Sequence, residues 1–261
     1  MLLVDTHAHL NDERLIAEAD GIIKGLRSDG LGFIINVGYD AESSKISVGF
    51  ADKYKDVYAS VGCHPHNAKD ATEADFDAMV AFASNPKVVA LGEMGLDYHY
   101  DLSDRPTQKR VFVRQLELAN TLKLPVIIHM RDATADMTEI LRENRALISN
   151  GGVFHCYSGS AETVRELAFT DFYFALGGAI TYTNANKDDV IRAIPSDRLL
   201  IETDCPYMTP VPYRGQTNYP RYIVKTFEKI SSTLCEEPER LSERLMKNTK
   251  TLFRKCAKWT Q

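Results

Sequence analysis

The sequence predicts one α/β domain over residues 1–261, a single (β/α)8 barrel with extra C-terminal helices and room for distortion from the ideal form. Three observations predict it. Eight short apolar runs punctuate the chain, most intervals between them carry helical patterning, and 261 residues is close to the ~250 that such a barrel needs. The runs are nearly continuous in Val, Ile, Leu, Phe and Ala rather than alternating, as expected of parallel strands covered on both faces. An open doubly wound sheet is the alternative, and it is weakened because the chain has no G-x-G-x-x-G phosphate loop. The expectation is therefore a TIM-type barrel.

The first run, residues 2–4, is followed by a helical pattern over 12–26, and the second, 32–37, by an interval long enough for a helix though without a clear stripe. Run 57–61 precedes a predicted helix at 73–83, and run 88–91 precedes the clearest one, at 106–122. There Val111, Phe112, Leu116, Leu118 and Ala119 approximate a buried stripe and Pro106 suits a first helical position. Runs 125–128, 152–154 and 172–176 alternate with predicted helices at 133–145, 161–168 and 188–194. The eighth run, 199–201, leads into the proline-rich loop 206–215 and two helical stretches at 219–234 and 238–258. No composition shift marks a second domain.

A formal charge of −5 argues against a broad basic surface for nonspecific capture of long nucleic acid. The start lacks a basic and apolar leader, and no apolar run approaches the ~20 residues of a membrane span, so a cytoplasmic location is expected. Five cysteines without a CxxC pair fit neither a disulfide framework nor a structural zinc cluster. Cys63, Cys156 and Cys205 each adjoin a polar motif residue and are read as packing residues.

The polar residues fall where the apolar runs stop, which in a barrel is the catalytic mouth. His7 and His9, at i and i+2 in an extended segment, point to the same side and can share one metal. Glu93, His129, His155 and Asp204 end four more runs, and a carboxylate buried there needs a cation or a partner. Four imidazoles and two carboxylates exceed the three ligands of a mononuclear zinc site, whereas two ions about 3.5–4 Å apart would use them all. Glu93 is then the bridge between an ion held by His7 and His9 and one held by His129 and His155. No lysine ends a run, so a carbamylated lysine bridge is not available. Asp204 completes the first shell and accepts the water's proton, while Glu202 orients a histidine from behind. Mixed shells of this kind accept Zn, Mn, Co, Ni or, less readily, Mg.

The ordered set Asp5-Thr6-His7-Ala8-His9, Gly62-Cys63-His64-Pro65-His66, Gly92-Glu93-Met94-Gly95-Leu96-Asp97-Tyr98, Pro125-Val126-Ile127-Ile128-His129, His155-Cys156-Tyr157-Ser158-Gly159 and Glu202-Thr203-Asp204-Cys205-Pro206-Tyr207 resembles the TatD-related deoxyribonucleases of the amidohydrolase superfamily. The resemblance implies hydrolysis of phosphodiester bonds with a metal-activated water, as a 3′→5′ exonuclease on DNA, and the same six metal ligands. It adds His64 as a contact to phosphate or water and a donor to the departing oxygen, so that Asp204, Glu93 and His64 are the catalytic residues. Arg131, Tyr157 and Arg214 are candidate phosphate contacts. The expected partner is DNA, as a single strand or strand end, or RNA, with no membrane and no obligate protein partner. The competing enzyme reading is an ester or amide hydrolase of amidohydrolase type, such as an aminoacyl-tRNA deacylase. A noncatalytic barrel is disfavoured by the intact ligand set. His66 and His99 receive no role from the sequence.

Overall fold

The computed structural model describes residues 1–260. Among them, eight strands form one parallel sheet in sequential order: β1 (Leu3–Ala8), β2 (Leu31–Val37), β3 (Val57–Val61), β4 (Val88–Asp97), β5 (Val126–Arg131), β6 (Gly152–Phe154), β7 (Tyr173–Leu176) and β8 (Leu199–Ile201). The barrel closes through a bridge between Ala8 and Cys205, just beyond β8. There the His9 N–H donates to the Cys205 carbonyl at 2.8 Å and the Asp204 N–H to the His7 carbonyl at 2.9 Å. The predicted (β/α)8 barrel is present, and this short seam is its departure from the ideal form.

Helices α1 (Ala19–Gly25), α2 (Ala41–Lys53), α3 (Glu73–Ala83), α4 (Arg105–Leu122), α5 (Thr134–Glu143), α6 (Ala161–Glu166) and α7 (Asp188–Ala193) connect the strands, and α8 (Ile223–Leu234) and α9 (Pro238–Leu252) follow β8. The helix expected over 12–26 is reduced to α1. Asp12 accepts the Arg14 backbone N–H at 2.9 Å and binds the Arg14 guanidinium, and such a local bond competes with the helical ladder. The unpatterned interval holds α2, started by an Asp40–Ser43 capping box. Its buried face is Ser43, Ser44, Ser47 and Ala51, which no apolar stripe announces. No helix among the described residues is long and apolar enough to cross a membrane.

Val4, Phe33, Tyr58, Val89, Ile127, Val153, Ala175 and Leu200, one from each strand, belong to one buried cluster. Phe253, Cys256 and Trp259 join it after α9 and close the floor of the barrel. The Trp259 ring lies 5.3 Å from that of Phe33, and its indole N–H donates to Asp56 Oδ1 at 2.8 Å. Phe33 is fully buried. Phe33→Ala is therefore expected to cost about 3–5 kcal/mol, read as a lowered midpoint in chemical denaturation.

Candidate metal centre

Strand parity places most of the centre. Ile127 and Val153 face the interior, so His129 and His155, two residues on, do too; Leu200 does the same for Glu202 and Asp204. β1 breaks the rule. Continued alternation from inward Val4 would turn His7 and His9 toward the helices, but the pairing of β1 with β2 slips between Asp5 and Ala8. β4 slips against β5 between Leu91 and Met94, and it continues as strand through Glu93 to Asp97. The predicted strand ended at Leu91 because the apolar pattern ends there, while the backbone pairing does not.

The structure brings all six predicted ligands together. His7 Nε2 and His9 Nε2 lie 3.0 Å apart, 3.4 and 3.6 Å from Glu93 Oε2 and 3.8 and 3.5 Å from Asp204 Oδ1. On the other side, Glu93 Oε1 lies 2.8 Å from His129 Nδ1 and 2.7 Å from His155 Nε2, and those two nitrogens are 3.1 Å apart. His7 and His155 stack at 4.1 Å between the groups.

Hydrogen bonds on the far nitrogens fix the tautomers. His9 Nδ1 can only donate to the Val37 carbonyl at 3.0 Å, and His129 Nε2 donates to the Asp97 carboxylate at 2.9 Å, leaving lone pairs on His9 Nε2 and His129 Nδ1 aimed at the centre. His155 Nδ1 faces Glu202 Oε1 at 3.5 Å, which leaves His155 Nε2 for the centre. Lone pairs and carboxylate oxygens converging on the same space are what a divalent cation requires, so the donor set fits a metal. His64 is turned the other way. Its Nδ1 accepts the His66 N–H at 3.1 Å, so Nε2 carries the proton and serves as a donor, 3.3 Å from Glu93 Oε1, not as a ligand.

Protonated histidine beside Glu93 stands in for part of a cation's charge. Burial opposes ionisation of Glu93, but the charge of His155 and hydrogen bonds from His129 and His155 outweigh it and hold the carboxyl well below its usual range. Burial likewise opposes charge on His155, yet attraction to Glu93 and Glu202 keeps the ring well above the usual histidine range. Burial dominates at His64, which is pushed down to about 4 and so stays a neutral N–H donor.

Two important residues escaped the sequence reading. Asp97 accepts from both His129 Nε2 and His66 Nε2, the latter at 3.0 Å, which places the previously unassigned His66 behind the centre. Its signal is a second acid in the Gly-Leu-Asp-Tyr motif, beyond the end of the predicted strand. Asp97→Asn is expected to weaken metal affinity about 10–100-fold with the fold unchanged, measured by titration of the metal-free protein. Asp5 accepts from Thr203 N–H at 2.9 Å and from the His7 N–H, tying β1 to the segment after β8, and burial pushes it up to about 7.

A cavity of about 560 Å³ opens above the centre, lined in part by His64, Arg131, Tyr39 and Asp204. Two expected phosphate contacts, Tyr157 and Arg214, are not among the residues lining this cavity. Tyr157 is buried against Phe174 and donates its hydroxyl to the Ser160 carbonyl, so it packs the wall rather than facing the cavity. Arg214 lies over Tyr182 at 4.3 Å, outside the cavity lining. His99 pairs with Asp132 at the surface. Burial pushes the Cys63 thiol up to about 12 and raises Cys156 and Cys205 well above the usual range, while Cys235 is exposed. A thiol reagent at mildly alkaline pH is expected to modify Cys235 alone in its fast phase, counted by peptide mass.

The model of the family described as TatD related DNase matches residues 4–254. The Bacillus subtilis (strain 168) protein named uncharacterized metal-dependent hydrolase YabD is 42% identical over 254 residues, covering 97% of this chain and 99% of its own. A Citrobacter koseri protein named 3′-5′ ssDNA/RNA exonuclease TatD is 29% identical over 258 residues, 96% of this chain and 98% of its own. The crystal structure of YJJV, a TatD homolog from Escherichia coli K12, aligns with a TM-score of 0.88 at 30% identity, over 97% of this chain and 98% of that one. With the match spanning almost the whole barrel and the imidazoles and carboxylates converging at its mouth, the chain belongs to the TatD-related DNase family of metal-dependent hydrolases.

Proposed function

We propose that the protein is a 3′→5′ exonuclease acting on single-stranded DNA, with RNA as a second substrate, and that it uses two divalent ions. The observation that carries this reading is Glu93, whose Oε2 faces His7 and His9 while its Oε1 faces His129 and His155. With this carboxylate between two imidazole pairs, His7, His9 and Asp204 would hold one ion and His129 and His155 the other, with Glu93 a ligand to both. When bound, such ions supply Lewis acidity and lower the pKa of a water molecule. The polarity and substrate follow the name of the Citrobacter koseri relative.

The chain's own groups then divide the remaining work. Asp204 Oδ1, close to His7 and His9, accepts the proton of the attacking water. His64 Nε2–H, held in that tautomer by the His66 N–H, donates a hydrogen bond to a phosphate oxygen, and the departing oxygen takes its proton from water. Arg131, in the cavity wall, offers a guanidinium to the non-bridging oxygens. Glu202 places a carboxylate oxygen 3.5 Å from His155 Nδ1.

The test is to strip the protein with a chelator, restore Zn, Mn, Mg, Co and Ni singly, and assay single-stranded DNA, RNA and an aminoacyl ester in parallel. Activity on strands should vanish with the metal and return at two ions per chain; return on the ester alone would overturn the nuclease reading. His155→Ala and Asp204→Ala are each expected to retain the circular dichroism of the fold while nuclease activity falls by about 10²–10⁴-fold. Full activity in both would sink the assignment.

A further inference from the structure

We infer that Tyr207 and Tyr100 are stacking platforms for the two nucleobases that flank the scissile phosphate of a single strand, an inference that rests on the nuclease reading above. Both are large rings left exposed, at 46% and 55%, and both line the cavity over the metal donors. They lie on opposite sides of it. The Tyr207 ring is 6.2 Å from that of His9, and its N–H donates to the Asp204 carbonyl at 2.8 Å. The Tyr100 ring stands edge-on to His66 at 5.4 Å, and its N–H donates to Asp97, the acid that holds His129. A phosphate seated on the donors between them sends its two nucleosides toward these two rings.

Exposed rings at a surface are ordinarily free to move, and each of these is packed against an arginine, Tyr207 also through its hydroxyl. The Tyr207 hydroxyl donates to Asp12 Oδ2 at 2.8 Å, and the Arg14 guanidinium, itself bound to Asp12, covers its ring at 4.2 Å. Arg131 lies over the Tyr100 ring at 4.8 Å. A ring backed by a cation on one face and fixed in orientation offers the other face to a base with little left to order. Stacking on such a ring is sequence-tolerant and needs an unpaired base, which selects single strands over duplex. The chain's net charge of −5 leaves no broad cationic surface to hold a strand, so these rings and Arg131 supply its grip at the mouth.

The experiment crosses Tyr207→Leu and Tyr100→Leu with three substrates: an intact strand, strands with an abasic residue at the terminal or penultimate 3′ position, and methyl 4-nitrophenyl phosphate as a base-free diester. Each variant should raise KM for the intact strand roughly 10-fold. Removing one particular base should raise the wild-type KM by a similar factor with no further rise in the matching variant, and the other base should couple in the same way to the other tyrosine. Penalties that multiply, or that are as large on the base-free diester as on the strand, overturn the inference while leaving the nuclease reading in place. A wild-type protein that hydrolyses the diester but no strand overturns both.

Discussion

Glu93→Gln is expected to abolish hydrolysis while leaving the barrel folded. Each carboxylate oxygen faces its own pair of imidazoles at 2.7–3.6 Å, so the substitution removes negative charge from both halves of the centre at once. The amide also replaces one acceptor with an NH2 donor, which would break the proposed bridge. Losing ~4 kcal/mol of stabilisation at the reacting centre corresponds to about 10³-fold in rate. Metal analysis of the purified variant should show fewer ions per chain than wild type, and near-wild-type turnover at full occupancy would contradict the bridging role.

Gly95→Ala is expected to produce the largest loss of stability of any single change at the site. Gly95 sits at φ +143°, and a Cβ there would come within 2.0 Å of the His129 carbonyl oxygen, a backbone atom that cannot rotate away. Positive φ strain and displacement of β5 add, for a cost of at least ~3 kcal/mol. Because β5 carries His129, a variant that still folds should also bind metal more weakly. Denaturant midpoint and metal titration measured on the same sample check both halves of the expectation. Gly92, at φ +135° with the Ile127 carbonyl 2.5 Å from a built Cβ, is under the same constraint three residues earlier.

Much of this architecture was legible because parallel strands buried on both faces leave continuous apolar runs, and three of them, at 57–61, 152–154 and 199–201, coincide with β3, β6 and β8. The six donors were legible because each follows such a run. Three things were not. α2 buries serines rather than aliphatics, so hydrophobic periodicity passes over it. The slip in β1 that aims His7 and His9 inward depends on pairing with β2, a nonlocal event that a strand's own pattern does not encode. Asp97 was hidden because a strand that enters a polar mouth stops looking like a strand, and Tyr157 misled because a polar hydroxyl beside a ligand was in fact satisfied by the Ser160 carbonyl.

The floor of the barrel has a bearing on biosynthesis. Phe33 leaves the ribosome early, yet the aromatic side chain that seals it, Trp259, emerges more than two hundred residues later, in company with Phe253 and Cys256. The seam between β1 and the Cys205 segment has to wait almost as long. A nascent chain therefore cannot close the barrel's seam before the Cys205 segment has emerged, nor its floor before the segment around Trp259 has, so the apolar interior is sealed only near the end of synthesis.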